Sequence, residues 1–443
     1  MKRGTNNLKD TEAPGDRKLG VAAGGLSRLI LAGGLIFTST LSWAEGFRNP
    51  PPGAFNLGRA GGRIAQVDDS SAAAQNPANL VDLTGVQFEF SPSVVYIRAD
   101  YTSPTGQSAQ STDPWKLLPN AFLAVPLSDG KVALGLAVTT PYGLGSEWDQ
   151  SSSAFAAPSG IWRYQTPFST ELTTINISPG VGVKLGENIR VGAGLDVMWS
   201  EVKLKQFYPW ALVTYPILSP DGQITASGDG VGIGGNLGLT VQVTERQRLA
   251  VTFRTPMNID YSGSFQLDNV PAVLGGGSLN SDFGTTIKYP TTVAAGYGIT
   301  LTDKIRLEAD FEWLQFSRFS SLPLNISSPP PGLPTSVPEN WKDTFTAGFG
   351  GDWRFATNWV VRAGYQFYES PVPDNTFTPT IPDANQNVIT VGLGYTYKGH
   401  SFEAAYGADF YKSRNISTDA NPAFNGKYNF TVHLFSFAYR YTF

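Results

Sequence analysis

The chain has 443 residues, of which 15% are charged and 12% aromatic, and its formal net charge at pH 7 is −4. Charged residues are scarcer than the roughly 25% found in soluble globular chains, which favours a surface that contacts lipid. The mean hydropathy of −0.13 is too low for a bundle of membrane-spanning helices. Cysteine is absent, which excludes disulfides, and the charges form no basic block, which excludes nucleic acid as a partner.

The first 44 residues are predicted to be a secretory signal peptide. An apolar run extends from Leu26 to Trp43 with Arg28 at its start, and Ser42 and Ala44 are the small residues that signal peptidase requires at positions −3 and −1. The alternative is a transmembrane anchor, which needs about 20 apolar residues. This run is shorter and is interrupted by glycine, serine and threonine. Cleavage after Ala44 is therefore the preferred interpretation.

Residues 45–85 differ from the rest of the chain. They are rich in small residues, proline and glycine, contain the turn Asn76-Pro77-Ala78, and lack the alternation of a β-strand. Nearly everything in residues 86–443 alternates with period 2. A compact segment ahead of a closed run of strands is predicted to fill the lumen of a barrel. We therefore interpret residues 45–85 as a plug.

Residues 86–443 predict an all-β fold, a transmembrane β-barrel. Segment 305–313 has apolar side chains on one face and arginine or carboxylates on the other, and segments 189–199, 359–367 and 402–410 repeat the apolar alternation. Six short turns alternate with seven long polar loops, which predicts about fourteen antiparallel strands. Both ends of such a barrel lie on the periplasmic side of a bacterial outer membrane. The sheet must close, because a lipid-exposed edge would leave backbone groups unsatisfied.

The last strand carries the strongest local signal. Aromatic residues occupy every second position, at Phe435, Phe437, Tyr439, Tyr441 and Phe443. This pattern with a terminal phenylalanine resembles the recognition signal for assembly of outer-membrane barrels, so the barrel assembly machinery is an expected partner. Upstream, residues 428–434 place their apolar side chains at the other parity, which predicts a β-bulge near residues 434–436.

Three features of the sequence could be read as a nucleotide-binding, catalytic or metal-binding site. The glycine-rich run at residues 230–235 is followed by no helix pattern, so we interpret it as a strand whose glycines face inward and leave room in the lumen. Inward carboxylates are interpreted as structural partners of wall arginines or of Arg59 and Arg63 in the plug. His400 and His433 lie far apart and no nucleophile motif is present. The sequence therefore predicts no enzyme, metal site or cofactor.

The loop from Pro141 to Phe168 holds more apolar and aromatic side chains than a water-exposed segment needs. Because exposed apolar patches usually mark binding sites, this loop is the predicted site of ligand capture. The predicted capture residues are Tyr142, Leu144, Trp148, Trp162, Arg163 and Tyr164. The alternative is that the loop folds over its neighbours and caps the barrel.

Short motifs in a fixed order resemble those of the FadL family, outer-membrane transporters of long-chain fatty acids that include transporters of toluene and related hydrocarbons. In the plug they are Gly46-Phe47, Gly58-Arg59-Ala60-Gly61, Asp69-Ser70-Ser71-Ala72 and Asn76-Pro77-Ala78. In the barrel they are Pro141-Tyr142-Gly143-Leu144, Trp162-Arg163-Tyr164, Glu312-Trp313, Phe316-Ser317-Arg318-Phe319, Asn340-Trp341-Lys342-Asp343, Arg362-Ala363-Gly364-Tyr365, Glu369-Ser370-Pro371-Val372-Pro373 and Ile381-Pro382-Asp383. The run Pro50-Pro51-Pro52 departs from the family pattern.

The resemblance implies a fourteen-stranded barrel with an N-terminal hatch. It also implies that extracellular loops capture an apolar ligand, that the ligand moves to an inner pocket, and that the hatch then shifts. The ligand would leave sideways through an opening in the wall, and Asn76-Pro77-Ala78 is expected near that opening. Arg59 and Asp69 belong to the same gating plug.

Three functions compete. The leading hypothesis is passive transport of hydrophobic compounds, above all long-chain fatty acids, through an outer membrane whose lipopolysaccharide leaflet resists them. The second is uptake of neutral aromatic hydrocarbons; Arg163 favours the first, because it would form charge-assisted hydrogen bonds with a carboxylate. The third is an adhesin or phage-receptor barrel whose loops bind partners, and it predicts no transport defect on deletion.

Overall fold

The computed structural model describes Met1 and residues 45–127, 130–215 and 217–443. The predicted signal peptide lies outside these residues except for Met1, and so do Ser128 and Asp129 of one predicted turn. Among the described residues, no helix is both long and apolar enough to span a membrane.

The secondary structure is dominated by β-strands. In chain order they are β1 (Gln87–Phe90), β2 (Ser93–Thr102), β3 (Ser108–Gln110), β4 (Trp115–Leu118), β5 (Ala121–Leu127), β6 (Val132–Thr139), β7 (Gly143–Glu147), β8 (Ser169–Leu185), β9 (Ile189–Tyr208), β10 (Gly222–Thr244), β11 (Gln247–Arg254), β12 (Met257–Leu267), β13 (Leu279–Tyr289), β14 (Thr292–Thr302), β15 (Ile305–Leu314), β16 (Ser321–Pro323), β17 (Asn325–Ile326), β18 (Ser336–Pro338), β19 (Thr344–Ala356), β20 (Trp359–Tyr368), β21 (Gln386–Tyr397), β22 (His400–Tyr411), β23 (Arg414–Ile416) and β24 (Gly426–Thr442). The α-helices are α1 (Ala54–Gly58), α2 (Ala72–Gln75) and α3 (Trp210–Val213), and short 3₁₀ helices lie at Pro77–Asp82, Ser153–Phe155, Ala272–Leu274, Phe316–Arg318, Asp374–Thr376 and Pro422–Phe424.

Fourteen wall strands form one closed antiparallel barrel, as predicted. Five of them consist of two consecutive β-strands separated by a break that contains proline: β1 with β2, β4 with β5, β6 with β7, β11 with β12, and β13 with β14. Proline cannot donate to a strand ladder, so it interrupts pairing at each break. The barrel closes where β24 pairs with both β1 and β2.

The two faces of the wall have the predicted chemistry. In β15, Leu307 and Phe311 are exposed on the outside, whereas Glu308, Asp310 and Glu312 are buried inside. An apolar outer face suits lipid, and the inward carboxylates need partners in the lumen. The short turns predicted after β8, β10, β14, β19 and β21 are present.

The bulge predicted in the last strand is wrong. β24 pairs with β22 in an unbroken register. Tyr428, Val432 and Leu434 are buried in the apolar core of the lumen, whereas Phe437 lies outside and exposed. The apolar parity changes along β24 because its first half contacts an apolar interior and its second half contacts lipid. No shift of register is needed to explain it.

The predicted plug, residues 45–85, which we call the hatch from here on, lies inside the barrel. α1 contacts β20, β21, β22 and β24, and the 3₁₀ helix Pro77–Asp82 contacts β8, β9 and β10. All side chains of α1 are buried. The hatch and the inner faces of the strands therefore share one core.

The glycines of residues 230–235 have a more specific role than leaving open room. The ladder from β10 to β12 ends at Asp229 and Ser262, and the ladder from β10 to β11 resumes at Asn236 and Arg254. Between these points β12 leans over the inner face of β10, and a Cβ atom at Gly230 would lie 2.3 Å from the Asp260 carbonyl oxygen. Glycine is required at this close approach, and the space it frees is filled by β12.

Candidate functional site

Phe47, near the start of the hatch, fills an aromatic cage. Its side chain is 1% exposed, and the five surrounding ring centroids lie 5.1–5.8 Å from its own. The members of this aromatic cage are Tyr142, Tyr289, Phe316, Phe319 and Trp341. Most of the contacts are edge-to-face, the geometry that aromatic rings prefer. The cage is thus an apolar pocket occupied by the protein's own side chain.

The barrel wall has an unpaired seam beside the cage. The ladder between β5 and β6 ends at Ala121 and Val138, and pairing returns only at an isolated bridge between Ser111 and Trp148. Within the described residues, the strand segment Thr139–Leu144 has no ladder partner in β4. This segment, which we call the wall seam, includes Pro141 and the break between β6 and β7.

The hatch supplies the backbone partners that the neighbouring strand does not. The backbone N–H of Asn49 donates to the Pro141 carbonyl at 3.0 Å, and that of Gly143 donates to the Phe47 carbonyl at 2.7 Å. The Asn49 side chain donates to the Thr140 carbonyl at 2.8 Å. The segment that fills the aromatic cage therefore also provides hydrogen-bond partners for backbone groups of the wall seam.

A cavity of about 110 Å³ adjoins both features. On one side it is bounded by Pro50-Pro51-Pro52 and by Pro141 of the wall seam, and on the other by Arg254. The triproline run therefore lines an internal cavity between the hatch and the wall.

The body of the hatch is fixed to the wall by buried ion pairs, as the sequence predicted for Arg59 and Arg63. Arg59 lies 3.0 Å from Asp352 and 3.6 Å from Glu308, and Arg63 pairs with Glu312. Glu308 also accepts hydrogen bonds from three consecutive backbone N–H groups of the hatch, just after Arg63. Removing one member of such a buried pair leaves an uncompensated charge, which is strongly destabilising.

Asp69 and Arg48 extend this network to the last strand and to the start of the hatch. Asp69 lies 3.0 Å from Arg440 in the last strand and accepts a hydrogen bond from the Ser71 backbone. Arg48, next to Phe47, bridges Glu45 at 2.9 Å and Glu312 at 2.5 Å.

Asn76 closes a turn of the hatch against the inner face of β10. Its side-chain amide donates to the Ile64 carbonyl and to Thr240 Oγ1, both at 3.0 Å, and its Oδ1 accepts from the Ala78 N–H at 3.1 Å. Ala78 and Pro77 lie against β9 at Gly192, where a Cβ atom would meet the Ala78 nitrogen at 2.3 Å. Of the three turn residues, Pro77 lines the cavity that reaches the wall seam.

The loop expected to expose an apolar patch is instead packed as a cap. Trp148 and Trp162 are fully buried, and their indole N–H groups donate to backbone carbonyls of Pro379 and Ala423 in other loops. Tyr142 and Leu144 are buried in and beside β7. The premise that these side chains are exposed is therefore wrong, because the extracellular loops fold onto one another.

Arg163 and Tyr164 are engaged by an acidic residue. Arg163 lies 2.6 Å from Asp221 and stacks over the ring of Phe207, and the Tyr164 hydroxyl donates to Asp221 at 2.8 Å. The charge of Arg163 is thus already neutralised within the protein.

The exposed apolar surface of the extracellular side lies on two other loops. Tyr215 and Leu218 follow α3 and are 85% and 93% exposed, and Val273 and Leu274 in the loop before β13 are also exposed. Trp210 joins the two loops by donating to the Asp268 carbonyl at 3.1 Å. We call these two loops the apolar loop pair. The apolar run Trp210–Val213 after Pro209, followed by Tyr215, Ile217 and Leu218, is the signal in the sequence that indicates it.

Glu339 is a buried carboxyl next to the cage. It lies in the loop before β19 and accepts a hydrogen bond from the indole of Trp341 at 3.0 Å. Burial raises the pKa of Glu339 to about 8, and the hydrogen bond from Trp341 offsets only part of this rise.

Sequence reasoning missed most of the aromatic cage. In the sequence, Gly46-Phe47 and the segments around Phe316 and Trp341 stand out only as family motifs, and Tyr289 belongs to no motif. Alternation assigns a face to each strand residue, but it does not show which inward side chains meet across the lumen. The cage therefore required the structure.

Barrel, hatch, filled cage and wall seam together define a plugged transmembrane transport barrel. Residues 35–443 match the family described as "Outer membrane protein transport protein (OMPP1/FadL/TodX)", and the chain belongs to that family. It is a protein of the bacterial outer membrane.

Relatives span nearly the whole chain. The long-chain fatty acid transport protein of Escherichia coli O6:H1 is 26% identical over 405 residues, covering 83% of this chain and 87% of the relative, and that of Salmonella typhi is 25% identical over 395 residues with the same coverage. Among solved structures, a Pseudomonas aeruginosa FadL homologue has a TM-score of 0.75 at 21% identity, covering 90% of this chain and all of that one. The Ralstonia pickettii toluene transporter TbuX has a TM-score of 0.69 at 20% identity, covering 90% and 99%.

Proposed function

We propose that this protein is a passive outer-membrane channel for hydrophobic compounds, with long-chain fatty acids as the leading ligand class, and that it performs no chemistry on them. One observation carries the proposal: residues 46–49 of the hatch both fill the aromatic cage and close the wall seam. A molecule that takes the place of Phe47 therefore also acts on the wall. The curated relatives named as long-chain fatty acid transport proteins support the ligand class.

Capture is assigned to the apolar loop pair. Leu218 and Tyr215 expose more apolar area than other extracellular residues of the described chain, and such surface usually marks a binding site. The loop from Pro141 to Phe168 contributes by shaping the cap through which the ligand passes.

Displacement of Phe47 is energetically accessible to a long apolar ligand. Burial of a phenylalanine side chain stabilises by about 1.5–3 kcal/mol, and the two backbone hydrogen bonds to the wall seam add about 0.5–1.5 kcal/mol each. Burial of about ten methylene groups contributes roughly 8 kcal/mol. The apolar gain from a long acyl chain therefore exceeds the roughly 2.5–6 kcal/mol lost when Phe47 and its two hydrogen bonds leave.

Exit is proposed to occur sideways at the wall seam. When residues 46–49 leave, Pro141 and Gly143 lose their backbone partners, and the segment Thr139–Leu144 then keeps ladder pairing on one edge only. An apolar ligand that leaves through this gap enters the bilayer directly and avoids a water-filled channel. Movement is limited to the first residues of the hatch.

Neutral aromatic hydrocarbons are the second candidate, favoured by the occupant of the cage. The side chain of Phe47 is a benzyl group, so the cage already holds the equivalent of a toluene molecule. Arg163 no longer favours a carboxylate, because Asp221 neutralises it. Arg163→Ala is therefore expected to weaken a fatty acid and its methyl ester equally.

Assembly by the outer-membrane barrel machinery is part of the proposal. Phe437 and Phe443 are exposed on the outer face at the end of the last strand, with Tyr439 and Tyr441 between them. Replacing Phe443 by Asp is expected to lower the amount of folded barrel in membranes that contain lipopolysaccharide. A normal yield would show that the rest of the strand suffices.

The proposal is tested by identifying the ligand and measuring its uptake. Mass spectrometry of lipids that copurify with the protein should detect fatty acids or neutral hydrocarbons. Cells with the gene deleted should take up the identified compound more slowly, and the intact gene should restore uptake. Unchanged uptake on deletion would refute the channel and favour a loop-based adhesin.

A further inference from the structure

A cluster of three buried hydroxyl groups lies at the floor of the aromatic cage. Ser200 Oγ donates to the Thr173 carbonyl at 2.8 Å, and the Tyr261 hydroxyl donates to Ser200 Oγ at 2.8 Å. The hydroxyl oxygens of Tyr261 and Tyr289 are 2.8 Å apart. We call Ser200, Tyr261 and Tyr289 the hydroxyl cluster; all three are buried.

The inward lean of β12 and β13 places this cluster in the lumen. Tyr261 belongs to the part of β12 next to the glycines of residues 230–235, and Tyr289, which pairs with Met257 of β12, ends β13 before the proline break. Had Gly230, Gly232 and Gly234 carried side chains, β12 could not overlap β10 as it does. The glycine run therefore serves to bring two tyrosine hydroxyls to the centre of the barrel.

Tyr289 joins the hydroxyl cluster to the ligand pocket. Its ring is a wall of the aromatic cage, 5.5 Å from the ring of Phe47 and 4.8 Å from that of Tyr142. Because the Tyr261 hydroxyl donates its hydrogen to Ser200, it is the Tyr289 hydroxyl that donates to Tyr261. The oxygen of Tyr289 therefore keeps acceptor capacity at the end of this hydrogen-bond chain nearest the cage.

The charges near the cage are already paired. None of the five cage residues is a cation, Arg48 is held by Glu45 and Glu312, and Arg254 is 2.9 Å from Asp196. Burial of an anion without a paired cation costs far more than burial of a hydrogen-bonded neutral group. The pocket chemistry therefore favours a neutral polar end over a carboxylate.

We propose that the hydroxyl cluster recognises a neutral hydroxyl head, that of a long-chain alcohol or an alkylphenol, on a ligand that has displaced Phe47. This inference rests on the proposed channel for hydrophobic compounds and, within that class, favours ligands with a neutral hydroxyl over fatty acids. The ligand hydroxyl donates to Tyr289, and its hydrocarbon part occupies the aromatic cage. Tyr289 and Tyr261 are then specificity-determining residues of the channel.

The test compares three ligands of equal chain length on the full protein in detergent. Displacement of a polarity-sensitive anilinonaphthalene dye is measured for n-decane, 1-decanol and decanoate at pH 8, each corrected for partition into protein-free micelles. The expected order of affinity is 1-decanol first, with an advantage of about 3- to 10-fold over n-decane, the size of one net hydrogen bond. Decanoate is expected to bind more weakly than 1-decanol.

Substitutions assign the preference to the cluster. Tyr289→Phe should bring 1-decanol to the level of n-decane and leave n-decane unchanged. Tyr261→Phe, which leaves the accepting oxygen of Tyr289 in place, should reduce the advantage of 1-decanol only in part. Tyr428→Phe is the matched control, because Tyr428 is buried and its hydroxyl bonds only to the Phe424 carbonyl of the loop cap. Heat-modifiable gel mobility verifies that each barrel is folded.

Two results would overturn the inference. One is a ratio of 1-decanol to n-decane affinity that is the same in Tyr289→Phe as in the unchanged protein. The other is tighter binding of decanoate than of 1-decanol at pH 8. If none of the three ligands displaces the dye from a folded barrel, the proposed function itself fails.

Discussion

Phe47→Ala tests whether the cage occupant competes with the ligand. Phe47 is 1% exposed and touches five aromatic rings, and replacing a core phenylalanine by alanine costs about 3–5 kcal/mol. This loss applies to the docked state of the hatch segment, because the undocked segment makes no cage contacts. A ligand that had to displace Phe47 no longer does so. Because about 1.4 kcal/mol is tenfold in affinity, removing 3 kcal/mol of competition should tighten ligand binding by roughly 100-fold.

The measurement is displacement of a polarity-sensitive dye from purified protein by a long-chain fatty acid and by toluene. Leu57→Ala is the control, since Leu57 is equally buried in the hatch but lies in α1, outside the cage. That variant should lose stability without any gain in affinity. Unchanged or weaker ligand binding in Phe47→Ala would refute the reasoning that Phe47 occupies the ligand's place.

The wall seam, the loop beside the cage and the hatch turn provide three further tests. The double substitution Arg48→Cys with Tyr142→Cys should form a disulfide, because bridge partners such as these have Cα atoms about 4.5–5.5 Å apart. Uptake should stop when the disulfide is formed by oxidation and return when it is reduced. Uptake that is the same in both states would exclude opening of the wall seam. The pKa of Glu339 is raised from 4.5 to about 8 in the folded protein. The folded state therefore binds this proton more tightly than the unfolded state, and thermal stability should fall as pH rises from 4.5 to 8. Glu339→Gln should reduce this dependence on pH, whereas the control Glu187→Gln, in an exposed turn, should not. Asn76→Ala removes three hydrogen bonds and should lower uptake while gel mobility stays normal; full uptake would remove Asn76 from the mechanism.

The fold was largely predictable because period-2 alternation and loop length are local signals. Strand faces such as those of Leu307 and Glu308 follow directly from the pleat of a strand. The bulge near residues 434–436 was predicted wrongly because an apolar side chain was assumed to face lipid. In this barrel the lumen is also apolar in part, so Val432 and Leu434 point inward. Local parity alone cannot distinguish these two apolar surroundings.

The candidate site was less predictable because it depends on contacts between distant segments. The ion pairs of Arg59 and Arg63 were expected, since a buried charge requires a partner in any such lumen. The partner of Arg163 was not, because Asp221 lies in a different loop and nothing local connects the two. The overlap of β12 with β10 likewise arises from packing, and the glycines of residues 230–235 indicated only that space was needed.

The chemistry of the contacts divides the hatch into a fixed part and a mobile part. From α1 onward the hatch is bound by buried ion pairs such as that of Arg59 with Asp352, whose rupture would leave a charge unpaired in the lumen. Before α1, the segment is held by the apolar contacts of Phe47, by two backbone hydrogen bonds to the wall seam and by the ion pair of Arg48 with Glu312. Glu312 also pairs with Arg63, so this carboxylate keeps a partner when Arg48 leaves. Gly53 separates the two parts with φ at 93°, a region open to glycine but costly for other residues. In the proposed mechanism, a ligand in the cage therefore releases the segment before Gly53 while the rest of the hatch stays in place, and the wall seam opens without unplugging the barrel.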